Sequence, residues 1–174
     1  RGCNTDVDGF RAGCAGIELG GRRVAVLGTG GAARAAALAA RRAGAVVTCY
    51  GRDRAQADAL AAALGVRAAL RPVAPRSWDV LVNATPVGTH PDAEQSAFPE
   101  SSYDGSVAYD LVYNPPRTRF LREASAHGCR TIGGIEMLVA QASRQIELWT
   151  GLRPDPGPMR GAAAWALSRL AERA

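Results

Sequence analysis

An α/β fold, a mostly parallel sheet wound on both faces by helices, follows from three features of this 174-residue sequence. Short apolar runs recur along the chain at the length of strands buried on both faces. Each leads through a Gly- or Pro-rich turn, and the first two pass directly into Ala-rich helical stretches. Strand, helix, strand, helix at this spacing makes βαβ units, whose strands are parallel and whose crossovers are right-handed.

The elements can be justified in order. Residues 22–27, with Val24, Val26 and Leu27, form the first strand, and residues 32–43 are Ala-rich and strongly helix-forming until Gly44. Residues 46–50 are β-branched and apolar, a second strand, and residues 55–64 return to helix before Gly65. Residues 80–82 and 107–109 are further strands, and residues 118–127 a helix. Thr131 and Ile132 make a last short strand. Leu138, Ala142, Ile146 and Trp149 mark a helical stripe over 135–149. Pro154 and Pro158 break the chain before a final amphipathic helix through Trp165, Leu167 and Leu170. Residues 87–106 carry least pattern and are expected to be an exposed loop.

The length suits one domain with a real core, and a composition 47% hydrophobic and 21% charged is ordinary for a globular protein. No leader pattern and no membrane-length apolar run are visible. All 21 basic residues are arginine, scattered and with few aromatics among them, which argues against nucleic acid. The net charge of +5 suits an anionic small molecule. Cys3, Cys14, Cys49 and Cys129 form no Cys-x-x-Cys pair, and His90 and His127 lie far apart. No metal is expected, and the thiols are those of a reduced, cytoplasmic protein.

The turn between the first strand and helix carries the chemistry. Gly28 permits the tight exit from the strand, and Gly30 keeps side chains away from backbone amides. Ala33 lets the helix pack closely, while the helix start near Gly31 offers free N–H groups and a positive dipole end to a pyrophosphate. This is a Rossmann dinucleotide site, formed by Gly28, Thr29, Gly30, Gly31 and Ala32. At the end of the second strand an NAD site usually places a carboxylate for the ribose 2′-OH. Here the first charged residue is Arg52, which can grip a 2′-phosphate, with Arg54 nearby. Asp53 keeps the alternative open, since it can accept the 2′-OH or pair with its neighbours. NADP is the expected cofactor, NAD the alternative.

Five groups of residues then occur in sequence: Asn4, Thr5, Asp6 and Gly9; Gly28 with residues 29–32; Asn83, Ala84, Thr85, Pro86, Val87 and Gly88; Tyr109 with residues 110–113; and residues 134–142. The series resembles shikimate dehydrogenase, in its NADP-binding C-terminal part, over nearly the whole chain. Residues 145–151 also resemble the versions fused to 3-dehydroquinate dehydratase. The resemblance implies reduction of 3-dehydroshikimate to shikimate, in aromatic amino acid biosynthesis. It implies a catalytic Asp6 beside a Lys, a pair able to serve the carbonyl oxygen during hydride delivery. On composition alone, Asn4, Thr5 and Asp6 would equally serve as a helix cap.

By the same resemblance Thr5, Tyr113 and Gln141 contact the substrate. Thr85, Pro86, Val87, Leu111, Gly134 and Met137 line the cofactor; Met137, with Leu138 and Ala142, also packs its helix. Gly134 is expected to permit close approach of the nicotinamide. The chain departs from the family at the 2′-phosphate loop, where Gln56 stands in place of a second Arg. Three parts are expected: 1–20, a hinge helix; 21–151, the NADP-binding domain; and 152–174, a C-terminal helix packing back toward an N-terminal substrate domain that is missing here. The Lys belongs to that domain and this chain has none, so the chain alone is expected to bind cofactor without turnover. Alternatives are a quinate/shikimate dehydrogenase using NAD and a non-catalytic dinucleotide- or metabolite-binding regulatory module. Oligomeric state stays open.

Overall fold

The computed structural model describes residues 2–99 and 103–171. The order is α1 (Thr5–Gly13), β1 (Arg23–Leu27), α2 (Gly31–Arg42), β2 (Val46–Gly51), α3 (Arg54–Leu64), β3 (Arg67–Leu70), β4 (Val80–Asn83), β5 (Val107–Asp110), α4 (Arg119–Ala126), β6 (Arg130–Ile132), α5 (Gly134–Thr150) and α6 (Pro156–Ala171). The strands form one sheet, parallel throughout, in the order β3-β2-β1-β4-β5-β6. Strand order reverses between β1 and β4, the switch point at which open α/β sheets hold ligands.

Alternation along the strands divides the core in two. Val24, Val26, Val80, Val82, Val107 and Tyr109 face a layer built from α1, α2, α3 and α5, including Phe10, Ala36, Leu60 and Met137. Ala25, Leu27, Leu81 and Ala108 face the other way, onto Phe120 and Leu121 of α4 and onto Trp78, Phe98 and Tyr103. The period of two is that of a pleated strand, and burial on both sides is why these runs read as uninterrupted apolar sequence.

Two expectations need correction. The 87–106 stretch is not simply an exposed loop: Ala97, Phe98 and Tyr103 are buried. No helix joins β4 to β5 among the described residues, so this segment covers the sheet face instead, with Phe98, Tyr103 and Phe120 in edge-to-face contact. β3 was not foreseen; it is an edge strand, half-buried and without a β-branched residue. The final helix starts at Pro156, inside the stretch expected to break the chain, because proline is well suited to a first helical turn. Of its expected stripe only Leu167 is buried, at 7% exposure, while Trp165 and Leu170 stand 68% and 53% exposed. A bidentate Arg160–Glu136 pair, at 3.0 and 2.9 Å, ties α6 to α5. No helix among the described residues is long and apolar enough to cross a membrane. Cys3, Cys14, Cys49 and Cys129 are free thiols, all but Cys3 buried.

Candidate functional site

Parallel register aligns the carboxyl ends of the strands. Tyr50, Leu27, Asn83 and Asp110 form one row across β2, β1, β4 and β5. The ladder continues one bond further: Gly28 N–H donates to Tyr50, Ala84 N–H to Leu27 and Leu111 N–H to Asn83, at 2.9, 3.0 and 2.9 Å. Gly28, Ala84 and Leu111 therefore lie side by side at the lip of the sheet.

Above that lip lie two adjoining hollows. One, of about 470 Å³, is lined by Gly30, Gly31, Ala32, Ala84, Thr85, Pro86, Thr89, Leu111, Val112, Tyr113 and Asn114. The other, of about 210 Å³, is lined by Gly28, Thr29, Gly30, Tyr50, Gly51, Arg52, Arg71, Ala84, Thr85 and Pro86. Gly30, Ala84, Thr85 and Pro86 are common to both, so the two form a single groove across the switch point. A further hollow of about 470 Å³ lies among α1, α5 and the start of α6, lined partly by Asp8, Arg11, Arg144 and Glu147, and includes no strand-end residue.

The glycine loop has the features an anion needs. Gly28 has φ +122°, and a Cβ there would stand 2.8 Å from the Ala84 carbonyl oxygen, so only glycine allows β1 to turn so close to β4. At Gly30 and Gly31 an added Cβ would meet nothing within 4 Å, which leaves the loop backbone open. Gly30 caps α2 without any side-chain hydrogen bond. The first N–H groups of α2 thus remain for a ligand, reinforced by the helix dipole.

The end of β2 resolves the residues around Arg52. The Asp53 carboxylate is the N-cap of α3, accepting from Gln56 N–H at 3.1 Å. Arg54 pairs with Asp58 at 2.7 Å. Thr29 donates its hydroxyl to Gln56 Oε1 at 3.2 Å, which fastens the glycine loop to α3. Arg52 is exposed and has no ion-pair partner among the described residues. Asp53 and Gln56 stand at capping-box spacing, a signal from which the cap was readable.

A buried polar couple fixes the other wall. Asn83 Nδ2 donates to Asp110 Oδ1 at 2.9 Å and to the Val87 carbonyl at 3.2 Å, while its Oδ1 accepts from Thr85 N–H and Oγ1 at 3.0 and 2.7 Å. Asp110 also accepts from Val112 N–H and Thr118 Oγ1. Burial raises the Asp110 carboxyl to about 6 against the pull of these three donors. Both belong to the series of residues that carries the resemblance, and together they set the loops after β4 and β5, which carry Thr85, Pro86, Leu111 and Tyr113.

The remaining candidates divide between α1 and α5. Asn4 is the N-cap of α1, accepting from Asp6 N–H at 3.0 Å, so the cap reading of this motif holds for Asn4. Thr5 is buried and its Oγ1 accepts from Gln145 Nε2 at 3.1 Å. Gln141 lies one turn earlier on α5, packed over Gly9, where an added Cβ would stand 3.1 Å from its own. Gln145 was not foreseen, although it follows Gln141 at the four-residue spacing of one helix face. Met137 is buried in the core under α1 and Val87 borders the second core; neither is among the groove-lining residues. Gly134 is small for a packing reason: a Cβ there would stand 2.5 Å from the Leu111 carbonyl oxygen. Tyr113 is 45% exposed at the groove.

Comparison with known proteins finds relatives that match over nearly the whole of this chain. Residues 134–164 match the family model of the shikimate 5′-dehydrogenase C-terminal domain. The NADP(+) shikimate dehydrogenase of Archaeoglobus fulgidus is 40% identical over 95% of this chain and 65% of that protein. The crystal structure of shikimate 5-dehydrogenase from Thermus thermophilus, in complex with NADP(H) and shikimate, superposes with a TM-score of 0.81 at 44% identity, over 94% of this chain and 63% of that one. Quinate dehydrogenase from Corynebacterium glutamicum, in complex with NAD, superposes with a TM-score of 0.76 at 34% identity, over 92% of this chain and 61% of that one. The chain thus spans somewhat less than two thirds of the length of each of these relatives.

Proposed function

We propose that this chain, a relative of the shikimate dehydrogenases, is the cofactor-binding portion of an enzyme that reduces 3-dehydroshikimate to shikimate with NADPH. The observation that carries the reading is the continuous groove over the ends of β1, β2, β4 and β5, with an open glycine loop in its middle and the exposed guanidinium of Arg52 at one end. The residues fit the dinucleotide: Gly28, Thr29, Gly30, Gly31 and Ala32 would hold the pyrophosphate, and Arg52 the 2′-phosphate. Asp53 spends Oδ1 on the cap of α3, while Arg52 beside it has no carboxylate partner among the described residues, which favours NADP over NAD. Thr85, Pro86 and Leu111 would bound the nicotinamide end, with Val87, Gly134 and Met137 supporting that wall from behind. The bound dinucleotide supplies the hydride.

The chain's own part in the chemistry is to hold the ketone and manage its proton. We assign that proton handling to Asp6, acting with a lysine this chain does not contain. Thr5, Gln141 and Tyr113 would hold the hydroxyls and carboxylate of the substrate. The division into a hinge helix within 1–20, a cofactor domain over 21–151 and a C-terminal helix over 152–174 follows from the same reading. The three buried free thiols suit a reducing compartment, and the cytoplasm is the proposed location.

Calorimetric titration of the chain with NADP and with NAD tests the reading. NADP should bind at least about tenfold tighter, the worth of one charge-assisted contact to the 2′-phosphate. Tighter binding of NAD would overturn it in favour of an NAD-dependent quinate dehydrogenase, a reading that Gln56, lacking the charge of an arginine, otherwise supports.

A further inference from the structure

The sheet places a second arginine beside Arg52. Gly51 pairs with Leu70 in the β2–β3 register, and the next residue, Arg71, donates its N–H to the Gly51 carbonyl at 3.2 Å. Arg52 and Arg71 are thus the first residues beyond two neighbouring strand ends, and both line the hollow that holds Thr29 and Gly30. The Arg71 side chain is half-buried: Nη1 donates to the Ala97 carbonyl at 3.1 Å, and Nε is shut off from solvent with no hydrogen-bond partner among the described residues. Neither arginine meets a carboxylate among those residues, whereas Arg54 is taken up by Asp58. Burial first, and then the like charge of Arg52, hold the Arg71 guanidinium below its ordinary value.

Two cations side by side, one of them desolvated, are unfavourable unless an anion joins them. An exposed arginine turns to water at little cost, but Arg71 cannot, because its Nε is shut off from solvent and its Nη1 is held at the Ala97 carbonyl. We propose that Arg52 and Arg71 together form the clamp for the 2′-phosphate, with Arg71 as the specificity-determining cation supplied from β3. The position rests on the dinucleotide-binding reading above. A planar guanidinium at each side lets the three phosphate oxygens accept from two directions, which a single surface arginine cannot arrange.

Titration of the chain with 2′,5′-ADP and with 5′-AMP isolates the 2′-phosphate. Wild-type chain should prefer 2′,5′-ADP, and Arg71→Gln should weaken that ligand by about tenfold or more while changing 5′-AMP by less than about twofold. Arg52→Gln should keep part of the preference, since Arg71 remains; this variant decides the matter even if Arg71→Gln loosens the segment held at Ala97. Equal weakening of both ligands by Arg71→Gln, or no weakening, would overturn the clamp and leave Arg71 a packing post. So would complete loss of preference in Arg52→Gln. A wild-type chain that binds neither ligand would overturn the dinucleotide reading itself and the clamp with it, an outcome distinct from a preference that Arg71→Gln leaves untouched.

Discussion

Asp110 is fully buried at the end of β5 and accepts three hydrogen bonds, yet its carboxyl is raised from 3.8 to about 6 because desolvation outweighs them. The sign of the consequence follows from proton counting. Between about pH 4 and pH 6 the folded chain holds this proton and the unfolded chain has lost it, so the folded state binds more protons and stability falls as pH rises. Above about pH 6 the loss is complete and flat, amounting to something on the order of 3 kcal/mol. Asp110→Asn removes the titration while keeping an oxygen for Asn83 and Val112 and offering an N–H to Thr118. Its stability relative to wild type should therefore climb between about pH 4 and pH 6 and level off above, as read by urea unfolding across that range. A difference between the two proteins that stays constant with pH would contradict this account of Asp110.

At the scale of elements, the approach of α1 to α5 depends on a hydrogen in place of a side chain. A Cβ at Gly9 would stand 2.9 Å from the Met137 carbonyl oxygen and 3.2 Å from Met137 Cγ. Gly9→Ala should push α1 outward, break the Thr5–Gln145 hydrogen bond and cost about 1–3 kcal/mol, measured as a lowered urea midpoint at unchanged slope. Since α1 contributes nothing to the groove lining, affinity for NADP should change by less than about twofold in the same variant. Elements of this chain differ in how plainly the sequence announces them. β1, the glycine loop and α2 were legible because a buried strand, a Gly28 turn and an Ala-rich helix each obey local rules. β3 was not, because residues 67–70 carry no β-branched side chain and become a strand only by pairing with β2. Arg71 went unnoticed for the same reason, its place beside Arg52 being a product of register rather than of spacing. The burial of Phe98 and Tyr103 was hidden likewise, since it depends on α4 alone leaving that sheet face partly uncovered.

At the scale of the whole molecule, the reversal of strand order between β1 and β4 separates the loops that follow those strands and opens the groove between them. Cofactor bound there would touch the ends of several strands at once, and so would act on the central part of the cooperative unit rather than on a single loop. A ligand that binds only the folded state stabilises it in proportion to the logarithm of its concentration, by about 2.7 kcal/mol at a hundred times its dissociation constant. NADP should therefore raise the unfolding temperature of this chain steadily with each tenfold increase in concentration, and shikimate added afterwards should not be oxidised, because the chain has no lysine to serve in the pair proposed for Asp6. Both outcomes can be read in one cuvette, the first from tryptophan emission on heating and the second from NADPH fluorescence before heating. Stabilisation without reduction of the dinucleotide is the expected result; steady NADPH formation by the chain alone would show that Asp6 needs no lysine, and absence of any thermal shift would remove the dinucleotide from the groove.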